Sequence, residues 1–125
     1  AIVNADDEMM GWIFFFKPNP IYDSLEIAYI LFEESQRGRG YTTEALGLFV
    51  DFLFSTRPVQ RLELNIAIEN AASIRVAEKC GFVREGLFRS GWYSPPLGRR
   101  LDGYRYAILK DEWGASSCNP PERVC

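Results

Sequence analysis

Apolar residues along the chain fall into runs of two kinds. Met10 to Phe16 (M-G-W-I-F-F-F) and Leu25 to Phe32 (L-E-I-A-Y-I-L-F) are almost continuously apolar, and the first stops at the breaker K-P-N-P. Runs of this length predict buried strands. Ile2-Val3 predicts a further short strand ahead of the turn-like N-A-D-D. From Thr42 to about Thr56 the period changes. Ala45, Leu46, Phe49, Val50, Phe52 and Leu53 recur at spacings of three and four, which predicts an amphipathic helix closed by Pro58. Leu62, Leu64, Ile66 and Ile68 then alternate with Glu63, Asn65 and Ala67, the period of a strand. Asn70 is suited to cap a helix running to Cys80, with Gly81 where a C′ glycine belongs. Phe82 to Trp92 and Asp102 to Leu109 predict two last strands, joined by a loop holding Pro95, Pro96 and Gly98. This order predicts one mixed α/β (α+β) domain over residues 1–113, with 114–125 as a flexible tail.

Composition narrows the chemistry. At 125 residues, 47 % apolar and 14 % aromatic, the chain is suited to one folded domain with its own core. A net charge of −3 gives no electrostatic reason to expect a nucleic acid or an anionic membrane as partner. No apolar run approaches the ~20 residues that span a bilayer, and nothing marks the chain for secretion. The three cysteines, Cys80, Cys118 and Cys125, are odd in number and lack metal-ligand spacing, and there is no histidine. A metal site is not expected, nor any scheme that needs imidazole. The pattern suits a reducing compartment, the cytoplasm. Cys80 reads as core packing rather than as a nucleophile, and Cys118 and Cys125 as free thiols on the tail rather than a pair.

The informative stretch is strand, then R-G-R-G-Y-T-T-E, then helix. A glycine-rich turn at a helix N-terminus exposes unpaired N–H groups, and the helix dipole adds about half a positive charge there. Gly38 and Gly40 permit close approach and backbone angles closed to other residues, while Arg37 and Arg39 offer charge-assisted donors. The spot suits a phosphate or pyrophosphate. A tight strand–helix turn with solvated arginines fits the same residues. No G-K-[ST] follows, and G-x-G-x-x-G is not matched, so nucleotide P-loops and dinucleotide sites are disfavoured.

A second piece lies downstream. Taken together, E-I-A-Y-I-L, R-G-R-G-Y-T-T-E-A-L and N-A-A-S-I-R-V-A-E-K-C-G-F-V-R-E-G resemble the GCN5-related N-acetyltransferases (GNAT), in the branch with the ribosomal-protein N-terminal acetyltransferases. The likeness runs from about Val3 to Trp113. It implies a mixed, mostly antiparallel sheet with helices on both faces, and acetyl-CoA as co-substrate. The acceptor would be an amine, on a small molecule or a peptide, acetylated by direct attack in a ternary complex. Arg37, Gly40 and Thr42 match the family's Q/R-x-x-G-x-G/A, with Thr42 replacing a small residue. The resemblance thereby assigns coenzyme contacts to Arg37, Gly38, Arg39, Gly40, Tyr41, Thr42 and Thr43. It also implies that the strand before the loop splays from its neighbour. Phe32 would then face the pantetheine arm, and the amide near Ile30 would polarise the thioester carbonyl.

Asn70 matches the family's pantetheine-binding asparagine, and Ser73 a serine that protonates the leaving thiolate. Ordinary N-terminal helix chemistry, an N-cap and a polar first-turn residue, is the alternative for the two positions. The tyrosine acid of other members has no counterpart in Val76-Ala77-Glu78. The attacking amine must be neutral, and Glu26, a charge inside an apolar run, is the candidate base, with edge placement or an ion pair as the alternative. Glu33 and Glu34 read as a solvated turn. The family's usual first strand and two helices have no match here, which leaves the acceptor open. Their absence would also uncover Trp12, Phe14 and Phe16, so a homodimer is expected. Two other readings stand beside this one. A coenzyme-A-binding module without catalysis is the first. An unrelated phosphate-binding domain is the second, and it leaves N-x-x-S…E-K-x-G-F unexplained.

Overall fold

The computed structural model describes residues 2–3, 9–17, 24–31 and 40–115. In chain order the elements are β1 (Ile2–Val3), β2 (Met9–Phe16), β3 (Ser24–Leu31), α1 (Tyr41–Thr56), β4 (Arg61–Ala67), α2 (Ala71–Lys79), β5 (Val83–Ser94), β6 (Arg99–Leu109) and α3 (Lys110–Ala115). The strands form one sheet in the order β1-β2-β3-β4-β6-β5. Only β3 and β4 pair in parallel, across the α1 crossover, and the other pairs are antiparallel. The expected mixed, mostly antiparallel sheet is therefore present.

Strand alternation divides the sheet into two unlike faces. Ile27, Leu62, Leu64, Ile66, Tyr106 and Ile108 point to one face and join Leu46, Val50, Leu53 and Phe54 of α1, with Ala77 and Cys80 at the end of α2, in the core. Phe15 of β2 reaches this layer through Phe49, with ring centroids 5.9 Å apart. Trp113 of α3 closes the core's far end, and its indole N–H donates to Asp51 of α1 at 3.3 Å. The three helices of the described residues thus lie against one face, where the resemblance implied helices on both.

The second face carries no helix among the described residues. Trp12, Phe14 and Phe16 of β2 point there and are 47, 44 and 43 % exposed. Phe14 stands opposite Ala28 and Phe16 opposite Glu26. The reading of Met10–Phe16 as a buried strand is corrected accordingly, because the described residues cover only one of its faces. Toward β4 and β6 the same face turns polar. Glu63 receives Arg61 at 2.7 Å and Arg105 at 3.4 Å, and Arg61 also binds Glu85 at 2.6 Å.

Other departures are local. On α1, Phe54 is buried while Phe52 is half exposed, so the apolar stripe is rotated from the one the spacing suggested. The last strands pair as a longer hairpin than predicted, through Ser94↔Arg99, with bulges between Arg84 and Gly86 and between Phe88 and Trp92. Helix α3 carries two residues past Trp113, and its start is tied by the Leu109 amide donating to Glu112 at 3.0 Å. No helix of the described residues is long and apolar enough to cross a membrane. Residues 116–125, with Cys118 and Cys125, lie outside the described residues.

Candidate functional site

The site is built where three elements come together. The ladder between β3 and β4 runs only from Ser24↔Arg61 to Glu26↔Glu63, although both strands continue, to Leu31 and Ala67. Beyond Glu26 the strands no longer pair. Successive residues of a strand aim their backbone groups to alternate sides, so this part of β3 presents N–H and C=O groups to the gap.

At the β3 end of α1, Gly40 occupies the N-cap with φ 80°, the left-handed region that glycine adopts freely. A Cβ built there would meet nothing within 4 Å. Helix α1 has no side-chain cap, and its first described bond is the Glu44 amide to the Gly40 carbonyl at 2.9 Å. The amides of Tyr41, Thr42 and Thr43 precede that bond and sit at the positive end of the helix dipole.

Helix α2 contributes a second N-terminus. Asn70 caps it as expected, its Oδ1 accepting from the Ser73 amide at 3.1 Å. The α2 C-terminus also ends as expected. Gly81, at φ 86°, and Phe82 donate back to the Glu78 and Ala77 carbonyls at 3.1 and 3.0 Å, closing a Schellman motif. Cys80 is buried there, and its thiol donates to the Thr43 carbonyl at 3.4 Å, tying the end of α2 to the start of α1.

Between these elements lies an open cavity of about 610 Å³. Gly40, Tyr41, Thr42 and Thr43 form one side, and Asn70 and Ser73 with Arg75 and Lys79 of α2 form another. Trp92, Tyr93 and the Pro95-Pro96 turn of the last hairpin stand across from them. Tyr29 of β3 forms part of the inner wall, and its buried hydroxyl has no hydrogen-bond partner among the described residues. Burial raises the Tyr29 pKa above its ordinary value, the neighbouring Ser73 hydroxyl partly offsets this, and Cys80 adds to it. The two hydroxyls are thus close enough to feel each other without closing a hydrogen bond. An unsatisfied buried hydroxyl costs about 1–3 kcal/mol, so this wall favours a ligand or water that pairs with it.

Of the residues expected in the site, Gly40, Tyr41, Thr42, Thr43, Asn70 and Ser73 are brought together around this cavity. Ile30 lies in the part of β3 that pairs with β2 but not with β4. Phe32, Arg37, Gly38 and Arg39, with Glu33 and Glu34, lie outside the described residues. Glu26 is not in the cavity wall. It marks the point where β3 and β4 part, on the sheet face away from the helices. It is not on an edge strand, which removes edge placement as the reason for its charge. Burial raises its pKa, Asn65 and Arg105 act to lower it, and Glu63 raises it again.

Sequence reasoning passed over Tyr29, Arg75, Lys79, Trp92 and Tyr93. Arg75 and Lys79 were within reach, because a helix capped by Asn70 puts residues four apart on one stripe. The hairpin aromatics were not, since only the pairing of β5 with β6 carries them to the cavity.

Residues 1–83 match the profile of the acetyltransferase (GNAT) domain. The chain is 31 % identical over 112 residues to the uncharacterized N-acetyltransferase p20 of Bacillus licheniformis, covering 90 % of this chain and 61 % of that protein. It is 30 % identical over 88 residues to the ribosomal-protein-serine acetyltransferase of Escherichia coli K12, covering 70 % of this chain and 49 % of the relative. A solved chimera of the Vibrio cholerae spermidine N-acetyltransferase SpeG with hSSAT superposes with a TM-score of 0.79 at 26 % identity. That match covers 91 % of this chain and 67 % of the chimera. The chain therefore spans about half to two thirds of the length of these proteins.

Proposed function

The chain belongs to the acetyltransferase (GNAT) family, and on that premise we propose that it transfers an acetyl group from acetyl-CoA to a primary amine within a ternary complex. The observation that carries this reading is the cavity itself. Two helix N-termini line it at the place where β3 and β4 stop pairing. Open space at the Gly40 Cβ position, a run of uncapped amides and an orphaned Tyr29 hydroxyl fit a long phosphorylated ligand with a polar arm.

Acetyl-CoA, when bound, supplies an acetyl carbon already activated as a thioester. The Tyr41, Thr42 and Thr43 amides hold the phosphates, with positive charge added by Arg75 and Lys79 and by Arg37 and Arg39. Asn70 has one oxygen committed to capping, and its amide N–H groups are left to bind the pantetheine arm. The amide near Ile30 donates to the thioester oxygen. Glu26, its carboxyl pKa raised by burial, takes a proton from the amine as the C–N bond forms. Ser73 supplies a proton at the departing sulfur as the C–S bond breaks, and recovers it from solvent.

In this reading the acceptor approaches Glu26 from the helix-free face, at the point where β3 and β4 part. Spermidine and serine-bearing ribosomal-protein peptides are the amines to try first, since relatives are named for spermidine and for ribosomal-protein serine. A thiol-release assay with acetyl-CoA and a panel of polyamines, N-terminal peptides and amino sugars tests the reading. Release above the hydrolysis background with at least one amine is expected. Coenzyme binding without release for any amine would replace the enzyme by a coenzyme-binding module.

The same face supports a homodimer. Trp12, Phe14 and Phe16 form a row on β2, and aromatic side chains contribute about 150–250 Å² each when buried. A surface of this kind is seldom left to solvent. Light scattering after size exclusion at low micromolar concentration should give twice the chain mass. A monodisperse monomer with no concentration dependence would mean that the chain covers its own sheet. The odd cysteine count supports a cytoplasmic setting.

A further inference from the structure

We propose that Tyr29 is a positioning residue for Ser73, its hydroxyl donating to Ser73 Oγ and thereby aiming the Ser73 O–H at the departing sulfur. This rests on the reading that the cavity takes acetyl-CoA and that Ser73 serves the leaving group.

Three observations lead to it. First, Tyr29 follows the last β3–β4 ladder pair by three residues, so β4 does not pair with β3 beside it. It shares the helix-facing side of β3 with Ile27, and its side chain forms cavity wall rather than closed core. Second, its hydroxyl is buried yet lacks a hydrogen-bond partner among the described residues. Phenylalanine would fill the same space without burying that oxygen, and buried polar groups without partners are uncommon enough to call for a reason. Third, Ser73 is the neighbouring hydroxyl whose influence on Tyr29 opposes that of burial.

The arrangement at Ser73 explains what such a donor would do. The Asn70 cap fixes the Ser73 backbone through its amide at 3.1 Å but leaves the side-chain torsion free. A serine in the first turn of a helix can also turn its hydroxyl back to a preceding carbonyl, where it serves no ligand. A donor on Oγ from the β3 side selects the rotamer that faces the cavity. It also stabilises the charge that grows on Oγ as Ser73 gives up its proton. Burial keeps the Tyr29 hydroxyl protonated, and hence a donor, through the neutral range. The bond closes only on a modest rotamer change at Ser73, since the free structure leaves it open.

The test is a double-mutant cycle of Tyr29→Phe and Ser73→Ala, followed by turnover and by NMR. Tyr29→Phe keeps the ring and should fold. It is expected to lower kcat about tenfold, the effect of one hydrogen bond made at the transition state, with KM for acetyl-CoA unchanged. In the Ser73→Ala background, Tyr29→Phe should cost nothing further. Independently of turnover, in the complex with coenzyme A, where the bond is closed, the Tyr29 ring ¹³Cζ resonance, assigned by its loss in Tyr29→Phe, should move in Ser73→Ala. Additive losses in kcat, or a resonance that stays in place, overturn the inference while leaving the proposed function standing. A parent protein that releases no thiol with any amine overturns the proposed function and this inference with it.

Discussion

Gly40→Val should weaken coenzyme A binding by about a hundredfold or more, which corresponds to roughly 2.7 kcal/mol. Two effects combine. Gly40 sits at φ 80°, where a β-branched residue costs about 1–3 kcal/mol of backbone strain. Its missing Cβ also opens onto space clear of protein atoms to 4 Å, on the wall of the cavity. Valine would push two methyl groups into the space beside the α1 amides that the proposed site gives the phosphates, or force the backbone to turn those amides away. Gly40→Asn separates the two effects, because asparagine tolerates the left-handed region yet still places a side chain in the cavity. Titration calorimetry on both variants should show weak binding, with Gly40→Asn keeping nearly the parent's melting midpoint. Parent-like affinity in either variant would remove this helix end from the binding site.

Leu53→Ala should lower stability by about 2–5 kcal/mol. Leu53 is fully buried within the core that docks α1 on the sheet. Shortening it leaves a cavity between α1 and the β3–β4 strands. Gly40 lies thirteen residues away, about 20 Å along the helix, so coenzyme affinity of the folded fraction should stay near the parent's. Urea unfolding checks the first claim and calorimetry at low temperature the second. A change below about 0.5 kcal/mol would mean that α1 is not held by this face.

The strands and helices were legible in the sequence because their burial is periodic. Leu62, Leu64 and Ile66 alternate and are all buried, and Asn70 and Gly81 bracket α2 as their chemistry suggests. The two faces of β2 were harder to read. Ile13 and Phe15 meet α1, whereas Trp12, Phe14 and Phe16 face outward, and apolar residues on both sides of a strand do not reveal which side the chain itself covers. Helix α3 was missed because six residues give too short a window for periodicity, and its place depends on the distant partner Asp51.

In the site, the glycine at the start of α1 was visible because glycine and a helix start are local signals. Tyr29 was not, since in L-E-I-A-Y-I-L it looks like any apolar strand residue. Its orphaned hydroxyl is evident only once β3 and β4 are seen to part at Glu26 and Glu63. Glu26 was noticed as a charge within an apolar run. Its position on the helix-free face, apart from the cavity, comes from strand register alone.

Ligand-dependent stability tests the central claim most directly, that the cavity between α1 and α2 binds coenzyme A. A ligand that binds only the folded state stabilises it by about 2.7 kcal/mol at a hundredfold excess over its dissociation constant. The melting midpoint should therefore rise by several degrees as coenzyme A is increased into the millimolar range, and continue to rise with the logarithm of its concentration. A midpoint that stays fixed in millimolar coenzyme A, with the protein folded at the start of the scan, would contradict the account.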